Sequence, residues 1–416
     1  MKISKLSKRI ICLLLSVMMV LLLAGCTSFD NFRRTFLEKN SEDSNVIYIG
    51  VFEPETGSSR ETGQQEIKGI ELANSEYSTV KGMRVELVKM DTESDTNSAV
   101  SNIKNLIKMN PVAIIGSSEE ANSMIAAEEA KKSQIPMITP SASNPLITEN
   151  NSYAFRACIT YDQRGDGLAE YALRELNSKK IATIILKNDS TLQTMKSAFQ
   201  KRIKKAKVNK ASIVLDESIE TNNFDAKKLV KQIRKSGADT VFAPIGLEKA
   251  NLLFQEIEKQ GMTNITFLGN QDWTSADLLA LIKKHPSIKL AFTSDNVLNG
   301  NDTSDAITAE TQRFLIKYSN KYGDDDIPTQ HTVLGYDAYM LIINAINNAE
   351  SLDPKDIRDA LANTKDLRCA TGTFNFDSDG NPIRQVNIST VKNGKIVSAY
   401  VTETTSTTEG MKKVEQ

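Results

Sequence analysis

Histidine is nearly absent from this chain. Of 416 residues only His285 and His331 are histidines. Neither lies in a nucleophile motif: His285 precedes Pro286 where a helix should end, and His331 begins a helical run into Tyr336. The chain also lacks a G-x-S-x-G elbow, an H-E-x-x-H pair and any clustered Cys/His spacing, so the common hydrolase and metal-site classes have no anchor. Gly116-Ser117-Ser118 lacks the glycine pattern and the lysine of a phosphate-binding loop. The expectation is no catalysis, no metal and no cofactor. Charge of one sign is missing too. Lys+Arg number 51 against 52 Asp+Glu, which leaves no basic stripe to hold nucleic acid.

Long apolar runs are scarce as well. The only one is 10–23, preceded by the basic residues Lys2, Lys5, Lys8 and Arg9 and followed by Leu23-Ala24-Gly25-Cys26. A run this short with small residues behind it is an export signal and not a membrane span. The ending L-A-G-C looks like a lipobox, which implies cleavage after residue 25 and a lipid on the Cys26 thiol. The alternative is a plain signal with an incidental cysteine. Residues 26–44 are polar and aperiodic and read as a flexible tether. Residues 402–416 (T-E-T-T-S-T-T-E-G-M-K-K-V-E-Q) read as a disordered tail. The mature chain should therefore work outside the cytoplasm, anchored to the cell membrane.

What is present between these ends is an alternation of strands and helices. Strands are expected at 47–51, 84–90, 112–115, 181–186, 212–218, 240–243, 265–268 and 290–293. Helices are expected at 64–77, 98–109, 121–132, 165–176, 226–235 and 249–260. This is the pattern of parallel sheets covered by helices on both faces. The alternation ends after 293, where helices at 306–322, 332–348 and 354–362 precede a β-rich segment, 372–401. Pro354 follows Asp353, a good N-cap with proline at the first helical position. D-S-D-G and K-N-G-K mark turns in the last segment.

The most informative stretch is P-V-A-I-I-G-S-S-E-E at 111–120 with I-P-M-I-T-P-S-A-S-N-P at 135–145. It reads as strand, helix and strand, with each strand closed by a small polar loop. Two such loops on neighbouring parallel strands share one sheet edge, where open α/β sheets bind ligands. With I-Y-I-G-V-F-E-P-E-T-G (47–57), G-Q-Q-E-I-K-G-I-E-L-A (63–73), Y-A-F-R (153–156), G-A-D-T-V-F (237–242), Y-D-A-Y (336–339) and T-G-T-F-N-F-D-S-D-G (371–380), the order and spacing resemble the type I periplasmic binding fold. In particular they resemble the branched-chain amino acid (leucine/isoleucine/valine) binding proteins of ABC transporters. The resemblance covers roughly 45–401.

It implies two lobes, 45–160 with 296–373 and 161–295 with 374–401, joined by hinge crossovers and closing on a ligand that a membrane permease then receives. Cys158 and Cys369 would each fall just before a crossover. Two isolated buried thiols are expected, a disulfide being the alternative.

In the resembling amino-acid binders the first lobe grips the ligand carboxylate through a hydroxyl and backbone N–H groups. The ammonium meets carbonyls and an acidic residue of the second lobe. Ser143 matches the Ser/Thr whose hydroxyl and N–H face the ligand, Ser141 the residue whose carbonyl receives the ammonium, and Asp162 an acidic residue near the cleft mouth. Other positions depart. Glu120 stands where a carboxylate-binding serine is usual, and two anionic groups there would repel. Either Ser118 takes over the hydroxyl role, or the ligand lacks a carboxylate at that point. The loop 187–192 has no aromatic-Gly pair and offers Thr191. Pro244-Ile245-Gly246 and Thr62 replace tyrosines. Gln271 occupies the acidic position of the G-x-[DE]-x-W loop with Asp272 beside it, and Trp273 either faces the ligand or only packs. The plainer reading of Ser117, Ser118, Ser141 and Ser143 is that they cap helices and turns.

The function expected is capture of an amino acid or related small polar solute for an ABC importer. The alternative is a ligand-sensing or protein-binding surface lipoprotein on the same fold.

Overall fold

The structure, a computed structural model, describes residues 45–206, 210–294 and 308–402. The expected signal peptide 1–25, the lipid site Cys26, the tether up to Ser44, positions 306–307 of the expected helix and the tail beyond Thr402 lie outside the described residues. Thr402 itself, assigned to the tail from sequence, is buried, and its hydroxyl and N–H are both hydrogen-bonded to Val386. No helix among the described residues is long and apolar enough to cross a membrane.

Two sheets carry the fold. The first has six strands: β1 (Val46–Glu53), β2 (Thr79–Val80), β3 (Met83–Asp91), β4 (Ala113–Gly116), β5 (Met137–Thr139) and β6 (Ala154–Arg156), in the order β2-β3-β1-β4-β5-β6. All neighbours are parallel except β2 with β3. The second contains β7 (Lys180–Leu186), β8 (Ser212–Ile219), β9 (Thr240–Phe242), β10 (Thr266–Gly269), β11 (Lys289–Ser294), β14 (Asn387–Lys392) and β15 (Lys395–Val401), in the order β15-β14-β11-β10-β9-β7-β8. A short hairpin, β12 (Leu367–Cys369) with β13 (Gly372–Phe374), stands apart. The K-N-G-K turn closes β14 onto β15, with Asn393 and Gly394 both at positive φ as a two-residue hairpin loop requires.

Helices cover both sheets: α1 (Arg60–Glu76), α2 (Thr96–Ile107), α3 (Glu120–Ser133), α4 (Tyr161–Arg174), α5 (Ser190–Lys205), α6 (Ala226–Ser236), α7 (Leu247–Lys259), α8 (Ala276–Lys284), α9 (Ala309–Tyr322), α10 (Gln330–Asn348) and α11 (Pro354–Ala362). Helix α5, the short α8 and strand β2 were not expected as elements from the sequence. Asp353 caps α11 through the Lys355 N–H, with Pro354 at its first position. Central strands such as β4 are buried throughout and so read as unbroken apolar runs. The first sheet carries two cores, one joining Ile49, Ile115, Phe314 and Tyr339 and one joining Phe52, Ile103, Ile114 and Met137; the core of the second joins Ile184, Phe242, Phe267 and Trp273.

Two features of the packing set up the site. Helices α1 and α10 touch backbone to backbone, because a Cβ on Gly69 would lie 1.8 Å from the Thr332 carbonyl oxygen and one on Gly335 2.2 Å from that of Glu66. The connections between the sheets are gathered by Arg384, which donates to Ala157 O at 3.2 Å and also to Thr371 O. Buried Asp337 holds the turn of the small hairpin, accepting from the N–H groups of Ala370 and Thr371 at 2.8 Å each. Burial pushes its carboxyl up to about 6. Phe374 and Phe376 still pack on the first sheet, where Phe376 meets Phe155 edge-on, while Val386 belongs to the second core.

Candidate functional site

The loops after β4 and β5 lie together at the carboxyl edge of the first sheet. Their internal bonding separates structural hydroxyls from available ones. Ser117 is fully buried: its carbonyl accepts from Ser123 Oγ (2.6 Å) and Thr139 Oγ1 (2.7 Å), and its own hydroxyl accepts from the Glu119 N–H. The plainer, capping role therefore holds for Ser117. Ser118 donates its N–H to Glu53 Oε2 at 2.8 Å, and its Oγ has no partner.

The loop 140–148 is held from beneath. Arg156, fully buried on β6, donates to Asn144 O (2.8 Å), Thr148 Oγ1 (3.0 Å) and Ala142 O (3.4 Å). This fixes the side of the loop facing away from the protein interior, with the N–H groups of Ser143 and Asn144 presented together. Both point at Glu120: its Oε1 accepts from Ser143 N at 3.0 Å and its Oε2 from Asn144 N at 2.8 Å, with the Ser143 hydroxyl 3.4 Å from Oε1. Glu120 and Ser143, both expected at the site, are thus brought into contact. The sequence argument treated Glu120 as a charge facing the ligand; the structure folds it onto the donors of the neighbouring loop.

Ser141 leads to two residues that sequence reasoning missed. Its hydroxyl donates to Glu66 on α1, and His331 Nδ1 lies 3.3 Å from the same carboxyl oxygen. Glu66 is fully buried, and Glu53, at the end of β1, is 1% exposed. Glu66 Oε2 and Glu53 Oε1 receive no donor from the protein. Burial raises both carboxyls, Glu66 to about 7 and Glu53 well above its ordinary value, and the neighbouring Glu66 charge raises Glu53 further. Two carboxyls in such contact can bond to each other only with a proton between them. No one-dimensional signal marks them: Glu53 ends a strand and Glu66 sits in a helix among other charged residues.

The second lobe contributes Tyr161, also missed. It stands at the start of α4, behind Thr160 and Gln163, which form a capping box. Burial raises its phenol, partly offset by a hydrogen bond with the Ser143 side chain, and the charges of Asp272 and Glu120 are felt there. Ser143, Glu120, Tyr161 and Asp272 therefore converge from both lobes. Asp162 adjoins Tyr161 in the first turn of α4, and its charge reaches Arg156. Gln271 is buried, with an unpartnered Oε1, and Asp272 is exposed and accepts from Asn270 Nδ2 at 2.8 Å.

Two further residues are engaged within their own lobe. Thr191 donates its hydroxyl to Asp189 (2.5 Å), the N-cap of its own helix α5. Trp273 is fully buried, donates to Ile245 O at 2.7 Å and stacks edge-on against Phe254. Cys158 and Cys369 are buried and form no disulfide with each other. No group of three or more metal-ligating side chains occurs among the described residues.

A profile of the family described as periplasmic binding protein matches residues 46–395. The chain belongs to that family. Relatives of this periplasmic binding protein include an amino acid binding protein of Pseudomonas aeruginosa, 29% identical over 52% of this chain and 58% of that protein. A Leu/Ile/Val-binding protein homolog of Brucella abortus is 23% identical over 81% of this chain and 87% of its own. Among solved structures, a leucine binding protein of Thermotoga maritima aligns with TM-score 0.68 and 26% identity, covering 85% of this chain and 98% of that one. A solute binding protein of R. palustris in complex with benzoate aligns at TM-score 0.66 and 21% identity over 86% of this chain and 96% of its own. The two-lobed α/β fold read from the motifs is thereby established.

Proposed function

We propose that this chain is the extracytoplasmic solute-binding component of an ABC importer. In this reading a lipid on Cys26 anchors it, and the lobes close on an amino acid or related small polar solute that a membrane permease receives. Closure is a population shift driven by differential affinity for the closed form. Family membership and the likeness to a leucine binding protein support the reading. The observation that carries it is the meeting of Ser143 with Tyr161 from the opposite lobe, at the sheet edge where such folds bind ligands. We assign 45–160 with 296–373 to the first lobe and most of 161–295 with the C-terminal hairpin to the second. The last crossover falls between Phe376, on the first core, and Val386, on the second.

The test is a thermal-shift screen of the full chain against amino acids, polyamines, amides, short-chain acids and nucleosides. A ligand that binds only the folded form raises the melting temperature with the logarithm of its concentration over its dissociation constant. A shift with any small solute supports the reading. Silence across the panel would transfer the assignment to a sensing or protein-binding lipoprotein.

A further inference from the structure

The donors best suited to a ligand carboxylate in the first lobe are already occupied. Two adjacent backbone N–H groups, Ser143 and Asn144, converge on one point, and the Glu120 carboxylate takes both, one oxygen each. An anion entering there would have to displace Glu120 and then lie beside it, at a Coulomb cost that grows as water is excluded. Arg156, the cation beneath the loop, is spent on carbonyl oxygens and on Thr148.

The acceptors are in the opposite condition. Glu53 and Glu66 are 1% and 0% exposed, and each has one carboxyl oxygen with no donor but the proton the pair shares. Across the cleft, Gln271, 8% exposed, leaves its Oε1 with no donor at all. Buried acceptors without donors are costly and uncommon in folded proteins. One such acceptor across from a carboxyl pair that must hold a proton when empty, beside two N–H groups already taken by Glu120, specifies a ligand that donates.

We propose that the solute captured here presents a cationic nitrogen, an ammonium or amidinium group, and no carboxylate to the first lobe, with Glu53 and Glu66 as its counter-charge and Glu120 as the residue that excludes acids. This rests on the solute-binding reading above and names its ligand class. On binding, the proton held between Glu53 and Glu66 leaves to solvent and the N–H groups of the ligand take its place.

The test uses four probes on the full chain: leucine, leucinamide, 4-methylpentanoate and putrescine. The first three share a side chain and differ only in which charges they carry. The expected order is that leucinamide or putrescine binds, leucine binds more weakly, and 4-methylpentanoate does not bind. In Glu120→Ser the preference should move toward leucine by about tenfold or more, one hydrogen-bonded carboxylate being enough for such a change. If the unaltered protein binds leucine or 4-methylpentanoate more tightly than both amines, the charge assignment is overturned while solute binding stands. If neither these probes nor the wider panel binds, solute binding falls and this inference with it. Should Glu120→Ser fail to fold, the order of affinities in the unaltered protein decides alone.

Discussion

Glu66 shows how a single side chain can carry both a cost and a use. Its folded carboxyl titrates at about 7 against an ordinary 4.5, burial being the main cause. A carboxyl raised on folding contributes stability that is full below the unfolded value and is lost as pH rises through the folded one. The melting temperature without ligand should therefore fall between pH 4.5 and pH 7. Glu66→Gln, which needs no proton, should flatten that fall and raise the melting temperature at pH 8 relative to the unaltered protein. Melting curves across this range check it; an unchanged slope would clear Glu66 of the effect. Ser143→Ala should weaken the ligand found by screening by roughly 1–2 kcal/mol, the value of one hydrogen bond to a charged group. An unaltered dissociation constant would remove Ser143 from the site. At this scale the sequence was half legible. Ser141 and Ser143 stood out because hydroxyls between prolines at a strand end make polar loops. That Glu120 bonds to a loop 23 residues away was not legible, because such contacts depend on how helix α3 docks and not on local pattern. Glu53, Glu66 and Tyr161 were invisible for the same reason.

Elements were read more securely than residues, since periodicity is a property of segments. Strands β1, β4, β7 and β9 through β11 emerged within a residue or two of their expected places, as did α6, α7, α10 and α11. The failures were α8, whose nine residues are short for a periodic signal, and α5, whose first turn was read only as part of the loop 187–192. The closest inter-element contact, α1 against α10, depends on two glycines that a sequence reading passes over. Gly335→Ala should cost about 3 kcal/mol, since the added carbon meets backbone and not a movable side chain. It should also weaken ligand binding by shifting Glu66 relative to Ser141. Gly246→Ala is the control: nothing lies within 4 Å of a Cβ there. Denaturant midpoints of the two variants, measured together, separate crowding from a general intolerance of change; equal values would refute the contact argument.

At the scale of the whole molecule, the connections between sheets are organised by Asp337 and Arg384. Asp337→Asn keeps the shape of the side chain but cannot accept from all three donors, the N–H groups of Ala370 and Thr371 and the Thr371 hydroxyl. It should destabilise by about 2 kcal/mol, the penalty of a buried donor left unsatisfied. Its effect on ligand affinity should be smaller than that of Ser143→Ala, because it touches no ligand. Unfolding and binding measured on the same variant check both halves.

The two thiols beside these connections have a kinetic consequence. Cys158 and Cys369 are 1% and 4% exposed and form no disulfide, and burial holds the Cys369 thiol well above its ordinary pKa. A thiol reagent can modify them only after the surrounding segments have opened. The alkylation rate of each is therefore a clock for excursions at the hinge, readable without any introduced label. A ligand that holds the lobes together should slow both clocks by the same factor by which it suppresses opening.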